Sequence, residues 1–424
     1  MTSITKLPRE VMTSVMRELG NIRFLVPCIL TCRYFYSCFK GDPNIAVDIF
    51  EQQITPALVP YSIALLDATH LDPRTTTSVR ELLETLNKEP SKLRSRLRSM
   101  PIPLLVEMGK LHDPIQSLAT QFANNAWAHI SNDQGSQTPR NLRLSPTEYY
   151  RFGRAFYRFE LYCTLFRSGM LSSFEWDSHD ERAWFFAQYA PWENEQVGSA
   201  HDFLELKLAE ASYDVLAHDV EFGVLAIDYL AAGGDNRARQ LWLSQGIDFI
   251  YRIINETSYD AKRALLRSSF GAGSADIHDA LTAMPNDDGD DNAPLAEYTD
   301  EDLETIFPTS DDQDTDKGPV EAWRVAFNRL PRSAWAMRTK NSGLRERAYV
   351  FWSLDRLEKY DLLELFKSIP EDPEPLRAGN GWGDMFKSFE ERSKIQERGG
   401  SGYWSKDDES RIVWPAKRAG GCLR

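Results

Sequence analysis

The sequence predicts a mostly α protein, and three observations carry that reading. Apolar residues recur at three- and four-residue spacing in segment after segment, the pattern of a helix with one buried face. Proline at helix starts, capping residues and glycine at helix ends punctuate those segments. Alternating runs of β-branched residues with hairpin turns are missing, apart from one short candidate strand at Ala348-Tyr349-Val350-Phe351-Trp352.

Taken in order, the elements begin at Leu7-Pro8. Pro8 suits the first helical position, Glu10 complements the helix dipole, and Gly20 can end the helix in the left-handed conformation. Between them Val11, Val15 and Leu19, beside Met12 and Met16, form an apolar face. A second helix is expected from Pro27, with Leu30, Tyr34 and Cys38 on one stripe, Thr31, Phe35 and Phe39 beside it, and Gly41-Asp42-Pro43 closing it. Residues 1–42 thus read as a helical hairpin and residues 43–284 as a helical body.

In the body, Val79, Leu82, Leu83 and Leu86 predict a helix ending near Asn87. Ile102, Leu105, Met108 and Leu111 predict another after Pro101, and Ile115, Leu118, Phe122 and Trp127 a third after Asp113-Pro114. Residues 131–145 read as an exposed loop. The strongest helix starts at Ser145-Pro146-Thr147-Glu148, a capping box with proline at the first position. Its core face is Tyr149, Phe152, Phe156, Phe159, Cys163 and Phe166, while Arg151, Arg154 and Arg158 are expected on a solvated face, paired with nearby carboxylates. Further helices follow around Trp184-Phe185-Phe186, from Pro191 through Val220, along Leu243, Ile247, Ile250 and Ile254, and from Ala264 toward Gly271.

Residues 285–318 carry thirteen carboxylates against the single base Lys317, so they account for −12 of the chain's −14. That composition predicts an acidic disordered insertion, in which Leu295, Tyr298, Leu303, Ile306 and Phe307 form an apolar patch. Helix resumes at Ala322 to Phe327 and Leu354 to Phe366, and 319–424 ends in an irregular tail pinned to the body by Trp382, Trp404 and Trp414.

A chain of 424 residues with 42% hydrophobic and 12% aromatic side chains has ample core material. Outside the acidic stretch it is nearly neutral, which argues against nucleic acid and acidic membrane as partners. Five cysteines without C-x-x-C spacing predict no disulfide framework, and the absence of an export signal or long apolar run predicts an intracellular protein, cytoplasmic or nuclear.

Leu7-Pro8-x-Glu10, the apolar stripe of Val11, Val15 and Leu19, then Leu25, Leu30 and Cys32-Arg33-x-Phe35 resemble an F-box over residues 4–40. The resemblance implies that this hairpin binds the Skp adaptor of a cullin-type ubiquitin ligase, with Leu7, Pro8, Val11, Val15, Leu19, Leu25, Leu30 and Phe35 at the adaptor. Phe152–Phe159 with Glu160-Leu161-Tyr162, Pro191-Trp192-Glu193-Asn194-Glu195-Gln196 and Arg347 to Trp352 look similar to F-box-like proteins of filamentous fungi. The function so implied is that of a non-catalytic adaptor whose body positions a protein substrate. The alternative is a helical scaffold with the hairpin as internal packing. A docking hairpin exposes Leu7, Pro8, Val11 and Val15; a scaffold buries them.

No catalytic residue, metal or cofactor is expected. Gly271-Ala272-Gly273-Ser274 is not a nucleophile elbow, and Gly379-Asn380-Gly381-Trp382-Gly383 is neither a P-loop nor a dinucleotide fingerprint. His201 with Glu205, and His218 with Glu221, are at helical pair spacing but lack completing ligands, so surface or capping roles are expected. Asp288-Asp290-Asn292 lacks the glycine and glutamate of a calcium loop, and pairs such as Asp177 and Glu181 are too common to mark acid–base chemistry.

Overall fold

The structure, a computed structural model, describes residues 4–42, 44–135, 138–167, 184–282, 295, 298–299, 301–302, 314–327, 342–370 and 381–415. It is mostly α, as the periodicity predicts. The helices are α1 (Arg9–Arg17), α2 (Leu25–Leu30), α3 (Arg33–Lys40), α4 (Ile45–Gln53), α5 (Val59–Thr69), α6 (Thr76–Lys88), α7 (Pro90–Arg96), α8 (Ile102–Gln134) and α9 (Pro146–Phe166). They continue with α10 (Pro191–His218), α11 (Val220–Val224), α12 (Arg237–Leu243), α13 (Ile247–Asn255), α14 (Tyr259–Ser268) and α15 (Ile277–Thr282). After these come α16 (Gly318–Ala326), α17 (Ser342–Glu346), α18 (Leu354–Lys359), α19 (Leu362–Ser368) and α20 (Gly381–Glu397). Among the described residues, Ser401–Gly402 and Ile412–Val413 form the one strand pair, antiparallel, and no helix is long and apolar enough to cross a membrane.

The capping box of α9 forms as expected: the Ser145 hydroxyl accepts from Glu148 N at 3.2 Å, and Glu148 Oε2 accepts from Ser145 N at 2.8 Å. This helix lies between α5, α8 and α10. Phe152, Phe156, Phe159, Cys163 and Phe166 are buried, as predicted, while Tyr149 is half-buried. Phe152 stacks on Phe351 at 4.3 Å and meets Phe122 edge-on at 5.5 Å.

The opposite face corrects an expectation. Arg151, Arg154 and Arg158 are 0%, 1% and 0% exposed. Arg151 grips the Asp314 carboxylate at 2.6 and 2.8 Å and donates to Phe351 O. Arg154 pairs with Glu193 at 2.7 Å and Asp314 at 3.4 Å and donates to Gln196 Oε1. Arg158 donates to Glu193 O and Asn194 Oδ1, with its guanidinium 3.4 Å from the Tyr189 ring centre. A helix hydrophobic on one face and cationic on the other is solvated only if nothing acidic covers the second face. Here α10 and residues 314–316 do.

The acidic stretch is thus not solvated at its carboxyl end. Beyond Asp314, Asp316 Oδ1 accepts from Gly318 N at 2.7 Å and Leu354 N at 3.0 Å. Leu295 is also buried, whereas Leu303, Ile306 and Phe307, the Asp288 to Asn292 stretch, and Asp177 with Glu181 lie outside the described residues.

The candidate strand is a buried turn. Ala348 takes φ of 48°, and Ala348 to Trp352 are all 0% exposed. With no neighbouring strand, its backbone finds side-chain partners: Gln196 Nε2 donates to Val350 O, Arg151 to Phe351 O, and Trp352 Nε1 to Arg347 O. Glu148 Oε1 accepts from Ser353 N.

Further boundaries differ from the sequence reading: the expected loop at 131–145 is helical as far as Gln134, the stripe from Leu243 to Ile254 is two helices parted at Gly246, and that from Leu354 to Phe366 is two parted at Tyr360-Asp361. The helices on either side of Asp113-Pro114 are one 33-residue helix, because Leu105, Met108, Ile115, Leu118 and Phe122 keep a single buried face across the proline. The second helix of the hairpin is broken into α2 and α3 where Cys32 takes an extended backbone, φ −159° and ψ 162°. In the tail, α20 is a 17-residue helix; Trp404 is buried, but Trp382 is half-buried and Trp414 is exposed.

Phe156→Ala removes a buried aromatic and is expected to cost about 3–5 kcal/mol. Arg154→Ala leaves Glu193 and Asp314 short of a cation inside the protein and is expected to cost a similar 3–5 kcal/mol. Urea midpoints of the two variants test this; a near-neutral Arg154→Ala would show that the arginine face is solvated.

Candidate protein-docking site

Residues 4–42 form a three-helix module whose first helix divides its apolar residues between two faces. Pro8 is the N-cap of α1, one position before its expected place. Met12 and Met16, each 1% exposed, point with Thr13 into the core, while Val11 at 44% and Val15 at 45% face solvent. Four-residue spacing puts Val11 above Val15 and Met12 above Met16, so the two pairs are adjacent stripes about 100° apart. Only the methionine stripe is covered.

The module is anchored to the body by a polar seam. Arg17 pairs with Asp42 and, at 2.7 Å, with Asp48 on α4. Asn21 donates to both Asp113 oxygens at 3.0 Å, Gln53 donates to Asp113 Oδ1 at 2.8 Å and accepts from Ile22 N at 3.1 Å. Inside the module Arg9 reaches Ser37 O at 3.0 Å, and the Tyr34 hydroxyl donates to Leu7 O. These bonds tie the Leu7-Pro8 entry to α3. The buried side chains of the module belong to the same core cluster as the body.

Of the expected docking residues, Leu7, Pro8, Val11, Val15 and Leu30 are exposed on the module, and Leu19 and Phe35 are half-buried. Leu25 is fully buried; it packs inside the module rather than offering a contact. Sequence reasoning missed Ile4, Phe24, Val26 and Tyr36, which are also exposed. Phe24 and Val26 flank the buried Leu25 in sequence, a position opposite the core that a helical projection from Leu25 would have found.

The surrounding charge has a sign of its own. Exposed Lys6, Arg9, Arg23, Arg33 and Lys40 face exposed Glu10 and Glu18, so the module is net positive on a net negative chain.

A second polar cluster lies on α10. His201, expected at the surface, is fully buried, with Asp202 and Glu205 offering ligand atoms within 4.8 Å of one another and of its ring. These atoms are engaged. Arg345 spans Glu195 and Asp202, and Glu205 accepts from Gly233 N at 2.7 Å and faces Arg239 at 3.7 Å. Gln240 Nε2 points at Gly233 O and Glu205, which turns its oxygen to His201 Nε2 at 3.1 Å; His201 Nδ1 faces Asp202 Oδ1 at 3.1 Å. Both ring nitrogens therefore meet acceptors, the environment of an imidazolium and not of a metal ligand. The other candidate pair is apart: His218 stacks on Tyr403 at 4.7 Å and contacts Trp404 O, while Glu221 binds Arg263 and Arg267.

No protein-family model matches this chain, and no curated protein or solved structure matches it at a significant level.

Met16→Ala is expected to cost about 2–5 kcal/mol by opening a cavity, and Val15→Ala within about 0.5 kcal/mol. Thermal denaturation of the pair tests the division of faces. For His201, burial opposes the charged form, but the Asp202 bond, with Asp202, Glu205 and Gln240 around the ring, raises its pKa above the ordinary imidazole value. The stabilisation is thus complete below about pH 6.5 and lost as pH rises through the folded-state value. His201→Gln should show a smaller stability deficit at high pH than at pH 6; a deficit constant across that range would mean that folding leaves the imidazole pKa unshifted, and one smaller at pH 6 that the buried ring is held neutral.

Proposed function

We propose that residues 4–40 dock on the Skp-type adaptor of a cullin-type ubiquitin ligase and that the helical body positions a protein substrate, with ubiquitin transfer performed by the partners. The observation that carries this reading is the division of α1: Leu7, Pro8, Val11 and Val15 stand in solvent, while Met12 and Met16 anchor the helix beneath them. Internal packing would use the valine stripe and leave no reason for two apolar faces on a nine-residue helix. Eight large apolar side chains exposed within residues 4–36, with five exposed cations within residues 4–40, suit an apolar partner that also carries acidic groups. The resemblance of Leu7-Pro8-x-Glu10 and Cys32-Arg33-x-Phe35 to an F-box supports a Skp-type adaptor as that partner.

Val11→Asp with Val15→Asp is expected to weaken co-purification of a Skp-type adaptor by about 100-fold or more, since two charges would be desolvated without partners. Because both side chains are exposed, the melting transition should stay within a few degrees of wild type. Wild-type protein that binds no adaptor would overturn the reading.

A further inference from the structure

Among the described residues, the large apolar side chains more than a third exposed fall in two places only. One is the docking face of residues 4–36. The other comprises Leu206 and Tyr213 on α10, Leu225 and Leu230 after α11, Phe386 on α20, and Val413 and Trp414 near the carboxyl end. None of them lies between residues 37 and 205 or between 231 and 385.

Part of the second group, Tyr213, Leu230 and Phe386, crowns a ridge, a chain of rings whose middle members are the half-buried Tyr229 and the buried Phe389. The Tyr213 ring stands edge-on to Tyr229 at 5.6 Å, Tyr229 to Phe389 at 6.2 Å, and Phe389 to Phe386 at 6.1 Å, with Trp382 6.3 Å beyond. Leu230 lies against Gly381, where an added Cβ would sit 3.5 Å from its Cδ1. The ridge therefore bridges α10 and α20. Helical spacing places Glu210 one turn before Tyr213 and Glu390 one turn after Phe386, on the same stripes, with Asp214 and Asp384 beside them. All four carboxylates are exposed; the nearby cations are Lys387, exposed, Lys207, which pairs with Glu210 at 2.8 Å, Arg411, which lies over the Tyr403 ring beside Asp214, and the buried Arg392, whose guanidinium is 5.3 Å from the Phe389 ring centre.

We propose that this aromatic ridge is the surface that holds the protein substrate, and that its occupant is an apolar segment carrying lysine or arginine, laid across α10 and α20. The proposal rests on reading the amino-terminal module as an adaptor-docking site. Charge complementarity selects the occupant: carboxylates flank exposed aromatic faces, and both attract a cation on an apolar stem. The two surfaces also carry opposite signs. The five exposed cations of residues 4–40 repel a basic substrate segment, and the acidic ridge repels an acidic adaptor, so neither partner competes well for the other's place.

The test uses the full chain and two labelled amphipathic peptides of about 18 residues, five helical turns. One is built of leucine and lysine, the other of leucine and glutamate. Fluorescence anisotropy should show saturable binding of the leucine–lysine peptide and none of its acidic counterpart. Tyr213→Ala with Phe386→Ala should weaken that binding about tenfold or more, and Asp384→Lys with Glu390→Lys, which removes no aromatic, should weaken it several-fold. Val11→Asp with Val15→Asp should leave it unchanged. Equal affinity for wild type and both ridge variants would show only general attraction to a chain of net charge −14, and would overturn the proposal, as would absence of saturable binding. Adaptor co-purification from the same samples keeps the two readings apart: ridge variants should retain the adaptor, and a wild type that binds the peptide but no adaptor fails at the amino terminus alone.

Discussion

The row of arginines on α9 is the constraint from which the rest of the body follows. Three guanidinium groups removed from water cost far more than their pairing returns unless every charge and donor is met by well-placed partners. Those partners come from distant parts of the chain: Glu193, Asn194 and Gln196 open α10, Asp314 ends the acidic stretch, and Phe351 O belongs to the buried turn after α17. Burial and arginine charge act in opposition at Asp314, and the net effect holds its carboxyl below the ordinary aspartate range. The guanidiniums therefore do not merely decorate the helix. They decide which segments can cover it, and through Asp314 they tie the end of a strongly acidic stretch to the core.

Polar contacts also tie both ends of this body to its core. The module at residues 4–42 shares its buried cluster with the body and is locked by the seam of Arg17, Asn21, Gln53 and Asp113. At the other end, α20 lies on α11, and Arg392 donates from it to Leu216 O and Asp219 O at 2.7 and 2.9 Å. Val11, Val15, Tyr213 and Phe386 thus stand on helices fixed by buried or half-buried polar contacts. An adaptor that holds two partners at a set separation needs that arrangement, because flexibility between the surfaces would dilute one partner's effective concentration at the other.

Much of the fold was legible in the residues themselves. The capping box at Ser145 and Glu148 and the apolar stripes of α1, α6 and α8 all depend on neighbours within one or two helical turns. What misled was compositional habit. Three arginines at helical spacing read as a wet face, five buried aromatic and aliphatic residues from Ala348 to Trp352 read as a strand, and proline at 114 read as a helix boundary. Each reading assumed the commonest surroundings for its residue type, and in each case a contact from another element overrode it: α10 and Asp314 on the arginines, Gln196 and Arg151 on the turn, α9 on α8.

By itself, then, the sequence determined that the chain is helical, where most of its helices start, and that an apolar helix follows Leu7-Pro8, because periodicity and capping are local properties. Only the tertiary structure decided that Met12 and Met16 turn inward while Val11 and Val15 face water, that Leu25 is packing, that His201 sits between two acceptors, and that a second apolar ridge joins α10 to α20. A helix encodes which side chains share a face. What covers that face depends on other segments, from about 30 to 200 residues away, and the free energy of that covering appears only when they meet.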